Sequence, residues 1–295
     1  MTMKPMRSKL FVPGARPELF AKALAGNADA LSFDLEDSVA PDRKAEARML
    51  VAAFLRSGAV GDTGKVIIVR TNAPDTRHFE DDVNALACDG VALINLPKIE
   101  SASAVRAVAT MLDRVEAGYG IERPIGLLVN IETPRALRNA ARIARAHPRV
   151  VGLQLGLGDL FESFGIDRRD NANVHAAMFA VRMATAEAGV FALDGAFAAI
   201  DDAAGFEAEA RMARRLGFIG KTCIHPKQVK LANGVFAATD AEVASAQRIV
   251  DAAQAAANAG RAAFVVDGRM IDPPFLRRAE AIVAAAAGTG RMRAP

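Results

Sequence analysis

Two carboxylates stand alone beside otherwise apolar, strand-like runs: Glu132 in PIGLLVNIETPRAL (124–137) and Asp159 in VVGLQLGLGDLFESFG (150–165). A charge in that position has to be neutralised, hydrogen-bonded or bound to a metal, because an unpaired charge in low dielectric is too costly to persist. Two such acids on adjacent strands suit a hard cation such as Mg²⁺. It accepts one or two protein carboxylates and fills its octahedron with water and substrate oxygens. The four histidines, at 78, 147, 175 and 225, are too few and too scattered to suggest a multi-histidine transition-metal site.

Other polar residues follow apolar runs in the same way. Asp34, Glu36 and Asp37 come after one run, Arg70 and Asn72 after the next, and Lys98, Asp194 and His225 after later ones. Together they form an acidic ring with a few cations. Arg70 after VIIV offers a planar fork for a carboxylate or a developing enolate oxygen, or serves as an internal counter-ion; catalysis is the favoured reading. Lys98 either neutralises the acids or touches substrate. Asp37 and Asp194, taken singly, read as helix caps or surface ion pairs. His225, before a proline, reads equally as a structural imidazole and a functional one.

The elements that must carry these residues alternate. Strand-like runs at 9–14, 30–37, 65–72, 90–98, 124–132, 150–159, 190–197 and 217–226 are each followed by a helical pattern, at 17–25, 42–56, 76–87, 101–117, 134–146, within 173–189, 203–216 and 226–234. Near-continuous apolar strands separated by helices predict a parallel sheet covered on both faces. Eight such units predict an α/β fold closed as a (β/α)8 TIM barrel, whose catalytic face lies at the C-terminal ends of the strands, so the residues above converge. The G-x-G-x-x-G fingerprint of a dinucleotide fold is missing after the first strand, and LGLGDL supplies only a G-x-G. Residues 1–235 are expected to form the barrel. Residues 236–295 then form a C-terminal helical and lid extension, with a helix at 240–259, a strand at 262–268 and a helix from 274, folding over the barrel mouth or onto a neighbouring subunit.

Composition bounds the function. Hydrophobic residues at 52% and charged residues at 24% supply a core and exclude the disordered class. The net charge of +3, the absence of Trp and the single Tyr119 leave no basic, aromatic-interleaved footprint for nucleic acid. Cys88 and Cys223 match no C-x-x-C pattern, which fits a reducing compartment. No N-terminal apolar h-region or bilayer-length run is present, so a soluble cytoplasmic protein is expected.

In order along the chain, RSKLFVPGARPELFAKAL (7–24), FDLEDSVAPDRKAEAR (33–48), VRTN (69–72), LPKIES (96–101), NIETPRAL (130–137), LGLGDL (155–160), GKTCIHPKQV (220–229) and DGRMIDPP (267–274) are similar to the citrate lyase beta-subunit-like branch of the HpcH/HpaI aldolase superfamily. The resemblance implies a TIM-barrel homotrimer or hexamer that binds Mg²⁺ and makes or breaks a carbon–carbon bond beside an acyl thioester. Position by position it implies Glu132 and Asp159 as metal ligands, Arg70 as the substrate-binding arginine, and Glu36 and Asp37 as groups holding the metal's waters. It also implies that the backbone N–H groups of Gly158 and Asp159 face an oxo-acid carboxylate. Asp272 matches a lid aspartate that enters a neighbouring subunit's site as acid/base. Phe11, Pro13 and Gly14 match the entrance for a CoA or acyl-carrier arm, or else close the barrel floor. One departure stands out: Gly158 occupies a position where relatives commonly carry Glu, leaving one carboxylate fewer beside the metal.

The reaction this implies is cleavage or formation of a 3-hydroxyacyl thioester such as malyl-CoA, citramalyl-CoA or a citryl thioester, giving an oxo acid and an acyl thioester. Arg70 stabilises the acyl enolate and Asp272 protonates it. The alternatives are a malate synthase or acyl-CoA thioesterase activity on the same scaffold, an aldolase acting on free oxo acids, and a non-catalytic subunit of a lyase complex or a metal-site binding protein.

Overall fold

The computed structural model describes residues 6–61, 63–258, 260 and 263–288. Residues 259 and 262, at the edges of the expected C-terminal helix and strand, and residues 1–5 at the N-terminus, lie outside them. The chain divides into two compact units, Met1–Phe236 and Ala237–Pro295.

The first unit contains eight parallel strands: β1 (Ser8–Pro13), β2 (Ala30–Asp34), β3 (Val66–Arg70), β4 (Leu93–Leu96), β5 (Gly126–Ile131), β6 (Val150–Leu155), β7 (Phe191–Leu193) and β8 (Lys221–Cys223). Their order in the sheet, β7-β6-β5-β4-β3-β2-β1-β8, is a barrel opened on paper between β7 and β8. That seam is bridged by the pair Asp194 and Lys221. The Asp194 N–H donates to Gly220 O and the Thr222 N–H to Asp194 O, both at 2.9 Å. A buried ion cluster reinforces it, with Lys221 Nζ 2.6 Å from both Asp194 Oδ2 and Glu209 Oε1.

Around the barrel lie α1 (Phe20–Ala25), α2 (Lys44–Arg56), α3 (Phe79–Leu86), α4 (Ala102–Tyr119), α5 (Pro134–Ala144), α6 (Leu157–Glu162), α7 (Asn171–Ala188), α8 (Ala203–Leu216) and α9 (Pro226–Phe236). Local chemistry sets several of their ends. Ser101 Oγ accepts from the Ala104 N–H and Thr133 Oγ1 from the Ala136 N–H, which caps α4 and α5. Pro134 opens α5, where its missing N–H costs nothing. Gly120 closes α4 at φ 68°, a left-handed conformation that a side chain disfavours.

Alternation along each strand sends one set of side chains out to the helices and the other into the barrel. The outward set joins the helices in one large core that includes Leu10, Val12, Leu31, Phe33, Ile67 and Val69. A smaller apolar cluster of Met6, Ala30, Val66, Ile68, Leu93, Leu128 and Leu193 packs separately from it. Lys9, Asn95, Asn130 and Gln154, on β1, β4, β5 and β6, are also buried and hydrogen-bond to one another.

The second unit contains α10 (Asp240–Asn258), a hairpin of β9 (Phe264–Val266) and β10 (Arg269–Ile271), and α11 (Pro273–Gly288). Asp267 and Gly268 both have positive φ, 51° and 74°, giving the primed two-residue turn that Asp-Gly favours. No helix among the described residues is long and apolar enough to cross a membrane.

Candidate active site

The ends of consecutive strands bring the predicted residues together. Phe11 comes from β1, Asp34 ends β2 with Glu36 and Asp37 just beyond it, and Arg70 ends β3. Lys98 follows β4, Glu132 follows β5, and Gly156, Gly158 and Asp159 follow β6. The Asp34, Arg70 and Asn95 backbones are in register across β2, β3 and β4.

Arg70 is the hub. Its Nε and Nη2 grip Asp34 Oδ1 and Oδ2 at 2.6 and 2.8 Å, a two-pronged pairing matched to the guanidinium plane. Nη1 turns to Glu36 Oε2 at 2.7 Å and Asp37 Oδ2 at 3.4 Å. The guanidinium lies 4.4 Å from the centroid of the Phe11 ring. Burial alone would push the Asp34 carboxyl up. Arg70, with help from the Ser38 and Glu36 N–H groups, holds it below its ordinary value. Burial works against the Arg70 charge too, but Asp34, Glu36 and Asp37 outweigh it. Arg70 is thus both counter-ion and fork, with two of its three nitrogens committed to Asp34.

Glu36 is buried and poorly satisfied. Arg70 Nη1 and Lys98 Nζ (3.4 Å) stand within ion-pair reach, yet neither carboxylate oxygen completes a hydrogen bond of good geometry. Burial pushes its carboxyl up to about 7, opposed by Arg70 and reinforced by Asp37 and Glu132.

Glu132 is 3% exposed, its Oε1 accepting from the Lys98 N–H at 2.6 Å and its Oε2 from Asn130 Nδ2 at 2.9 Å. Its carboxyl is raised, first by burial; the Lys98 N–H opposes the rise and Asp159 adds to it. Asp159 also raises the Lys98 ammonium, although burial, Glu36 and Asp37 act on that group more strongly. Glu132, one residue past β5, therefore senses the charge of Asp159 in α6. Gly156 makes room for this: a Cβ there would lie 2.5 Å from Glu132 Cβ and 2.9 Å from its Oε2.

Several expectations change. Asp159 does not end a strand. β6 stops at Leu155, and Asp159 sits exposed in the first turn of α6, a six-residue helix not anticipated from LGLGDLFE. Asp194 does not join the ring, because its side chain pairs with Lys221, which also binds Glu209 of α8. Leu193 belongs to the small apolar cluster, so its successor faces the other way. His225 Nδ1 accepts from the Lys227 N–H at the start of α9, the structural reading. Asn72 is tied to α3 through Asp82 Oδ2, at 2.8 Å from its N–H and 2.7 Å from Nδ2. Phe11 is half-buried between two cations, Arg70 and Lys9, the latter 4.0 Å from its ring centroid. Pro13 ends β1, and Gly14 abuts Asp34 O, which a Cβ would approach to 2.8 Å. Asp272 lies in the second unit, where its Oδ1 accepts from the Phe275 N–H at 3.5 Å at the head of α11.

Sequence reasoning passed over Lys9, Asn95, Asn130 and Gln154. Their signal was present: each is a polar residue in a largely apolar strand, and Asn130 precedes Glu132 by two positions, which puts both on one face. A surface groove of about 600 Å³ between α3 and α4, lined by Asn84, Met111, Arg114 and Tyr119 among others, is separate from these residues.

No three His, Cys, Asp or Glu side chains among the described residues are gathered to hold a metal unaided. The donor set is two carboxylates that need water or substrate oxygens to complete a sphere, beside a buried Glu36 whose oxygens lack hydrogen bonds. That set fits a hard, partly hydrated cation.

Fold and site together define a (β/α)8-barrel enzyme with a carboxylate-lined catalytic end. Residues 7–226 match the HpcH/HpaI aldolase/citrate lyase family, and the chain belongs to it. It is 36% identical over 301 residues to an L-malyl-CoA/beta-methylmalyl-CoA lyase of Cereibacter sphaeroides, covering 95% of this chain and 94% of the relative. It is 35% identical over 286 residues to the citrate lyase subunit beta of Escherichia coli K12, covering 96% and 94%. Among solved structures, CitE from Mycobacterium tuberculosis in complex with magnesium, acetoacetate and coenzyme A superposes with a TM-score of 0.71 at 32% identity, covering 96% of this chain and 98% of that one.

Proposed function

We propose that the chain is a Mg²⁺-dependent carbon–carbon lyase that cleaves, or in reverse forms, a 3-hydroxyacyl-CoA thioester of the malyl or citramalyl type. The observation that carries this reading is the gathering of Glu132, Arg70 and the unsatisfied Glu36 at neighbouring strand ends, with Asp159 near enough for its charge to act on Glu132, in a chain 36% identical to a malyl-CoA lyase over nearly its whole length.

Glu132 and Asp159 are the groups that would hold Mg²⁺, and Glu36 and Asp37 would hold its waters. The bound ion would supply charge to draw in the substrate's hydroxyl and carboxylate oxygens and make the hydroxyl more acidic. The residues do the rest. The Gly158 and Asp159 N–H groups, at the start of α6, receive the oxo-acid carboxylate. Glu36, with a carboxyl near 7, has the basicity to take the hydroxyl proton at neutral pH. As the bond between the carbinol carbon and the thioester α-carbon breaks, its electron pair passes to the acyl enolate, whose oxygen faces positive charge from Arg70 Nη1 and Lys98 Nζ. Asp272, contributed by a neighbouring subunit, returns a proton to the α-carbon. Phe11 and Pro13 line the approach for the thioester arm. The working form is a homotrimer or hexamer.

The test is direct. The chain is mixed with Mg²⁺ and malyl-, citramalyl- or citryl-CoA, and the products are identified. An oxo acid with an acyl-CoA supports the reading. Free CoA points instead to synthase or thioesterase chemistry. The likeness to a citrate lyase subunit beta favours a second reading, a subunit of a larger lyase. Silence in isolation with activity restored by partner subunits would establish that one.

A further inference from the structure

We infer that Lys9 is a positioning residue that fixes the orientation of Glu132 through a one-directional hydrogen-bond relay, Lys9 to Asn95 to Asn130 to Glu132. The inference rests on Glu132 being a metal ligand. The links are short: Lys9 Nζ to Asn95 Oδ1 at 2.7 Å, Asn95 Nδ2 to Asn130 Oδ1 at 2.8 Å, and Asn130 Nδ2 to Glu132 Oε2 at 2.9 Å. Lys9 has 0% exposure, and Asn95 and Asn130 are buried as well, so water does not substitute for any member.

The polarity of the relay is set in its middle and agrees with the charged forms of its two ends. An ammonium only donates, and an ionised carboxylate only accepts. In the middle, Asn95 Nδ2 also donates to the backbone carbonyl of Leu128 at 3.0 Å, which forbids turning that amide over. Its Oδ1 must then receive from Lys9, and Asn130 must present oxygen to Asn95 and nitrogen to Glu132. Reversing either amide would set oxygen against oxygen or N–H against N–H. With Oε1 held by the Lys98 N–H at 2.6 Å, the Glu132 carboxylate is oriented from both sides.

Stability does not account for Lys9. Burying an ammonium is costly, and similar-sized apolar groups often replace buried charges at no loss. Here burial depresses the Lys9 ammonium well below its ordinary value, with Arg70 adding to the effect and Asp34 and Glu132 opposing it. Nζ is retained by two amide oxygens, Asn95 Oδ1 and Gln154 Oε1, each at 2.7 Å, and by the face of Phe11. Those contacts aim a donor; a methionine in the same space would aim nothing.

The experiment measures Mn²⁺ binding to the full chain, without substrate, by electron paramagnetic resonance, beside thermal unfolding. Partners that orient a ligating carboxylate typically contribute about 10–100-fold in metal affinity. Lys9→Met should weaken Mn²⁺ binding about tenfold without lowering the melting temperature. Asn95→Asp keeps an acceptor for Lys9 but removes the donor toward Asn130, and should weaken binding equally; it decides the matter if Lys9→Met does not fold. Adding Lys9→Met to Asn130→Leu should bring no further loss, because the relay is already cut. Unchanged affinity in Lys9→Met and Asn95→Asp, or additive losses in the double variant, would overturn the relay while Glu132→Ala still abolishes binding. Wild-type affinity in Glu132→Ala would instead overturn the metal assignment, and the relay's purpose with it.

Discussion

The Lys98 N–H donates to Glu132 Oε1 at 2.6 Å from a backbone held at φ 54°, in the left-handed region that lysine rarely occupies. Such a conformation costs about 1–3 kcal/mol and persists where the surroundings over-determine it, which happens most at functional sites. Its benefit is twofold. One residue delivers a backbone donor to Glu132 and an ammonium to Glu36, 3.4 Å away.

Lys98→Asn separates these roles. Asparagine tolerates the left-handed conformation and keeps the N–H, but lacks the ammonium. Its melting temperature should match the wild type while kcat falls at least about tenfold, the loss of one charge-assisted contact. Undiminished kcat would restrict Lys98 to its backbone role.

Glu36 predicts a pH signature in the metal-free protein. Its carboxyl is raised from 4.5 to about 7, so the folded chain binds this proton more tightly than the unfolded chain. The stability the group allows is fully present below about pH 4.5 and is lost as pH rises to about 7. Glu36→Gln removes that slope. Urea unfolding should find the variant more stable than wild type by about 3 kcal/mol at pH 8, with the difference closing near pH 4.5. Parallel pH profiles for the two proteins would contradict the assignment.

Two glycines at the start of α6, the cap Gly156 and the first-turn Gly158, should respond in opposite ways. Gly156→Ala would drive a Cβ to 2.5 Å from Glu132 Cβ, whereas a Cβ at Gly158 meets nothing within 4 Å. Calorimetric titration with Mn²⁺ should therefore find binding weakened at least about tenfold in Gly156→Ala and unaltered in Gly158→Ala. Equal behaviour would mean that the Gly156 contact does not set the position of Glu132.

The strand–helix pairs were legible because most strands are short, largely apolar runs buried on both faces and each helix keeps its own period. Position after a strand was enough to find Arg70, Lys98 and Glu132. The same rule misled at Asp194, where inward and outward faces alternate residue by residue and a strand of three residues leaves too little pattern to read its parity. α6 escaped because two glycines precede Asp159 and six residues give no periodicity. β10 escaped because Arg-Met-Ile forms a strand only by pairing with Phe264–Val266 across the Asp-Gly turn. The relay from Lys9 was hidden for another reason. Its members lie on three strands and touch only once the barrel has closed.

We propose that Glu132 and Asp159 together hold one divalent ion on which cleavage depends. The most direct measurement is the rate of Mg²⁺-dependent malyl-CoA cleavage by wild type, Glu132→Gln and Asp159→Asn, each shown to be folded by thermal unfolding. Each variant should lose at least about 100-fold in kcat/KM, the rate equivalent of about 2.7 kcal/mol of transition-state stabilisation. Wild-type turnover in both would contradict the account.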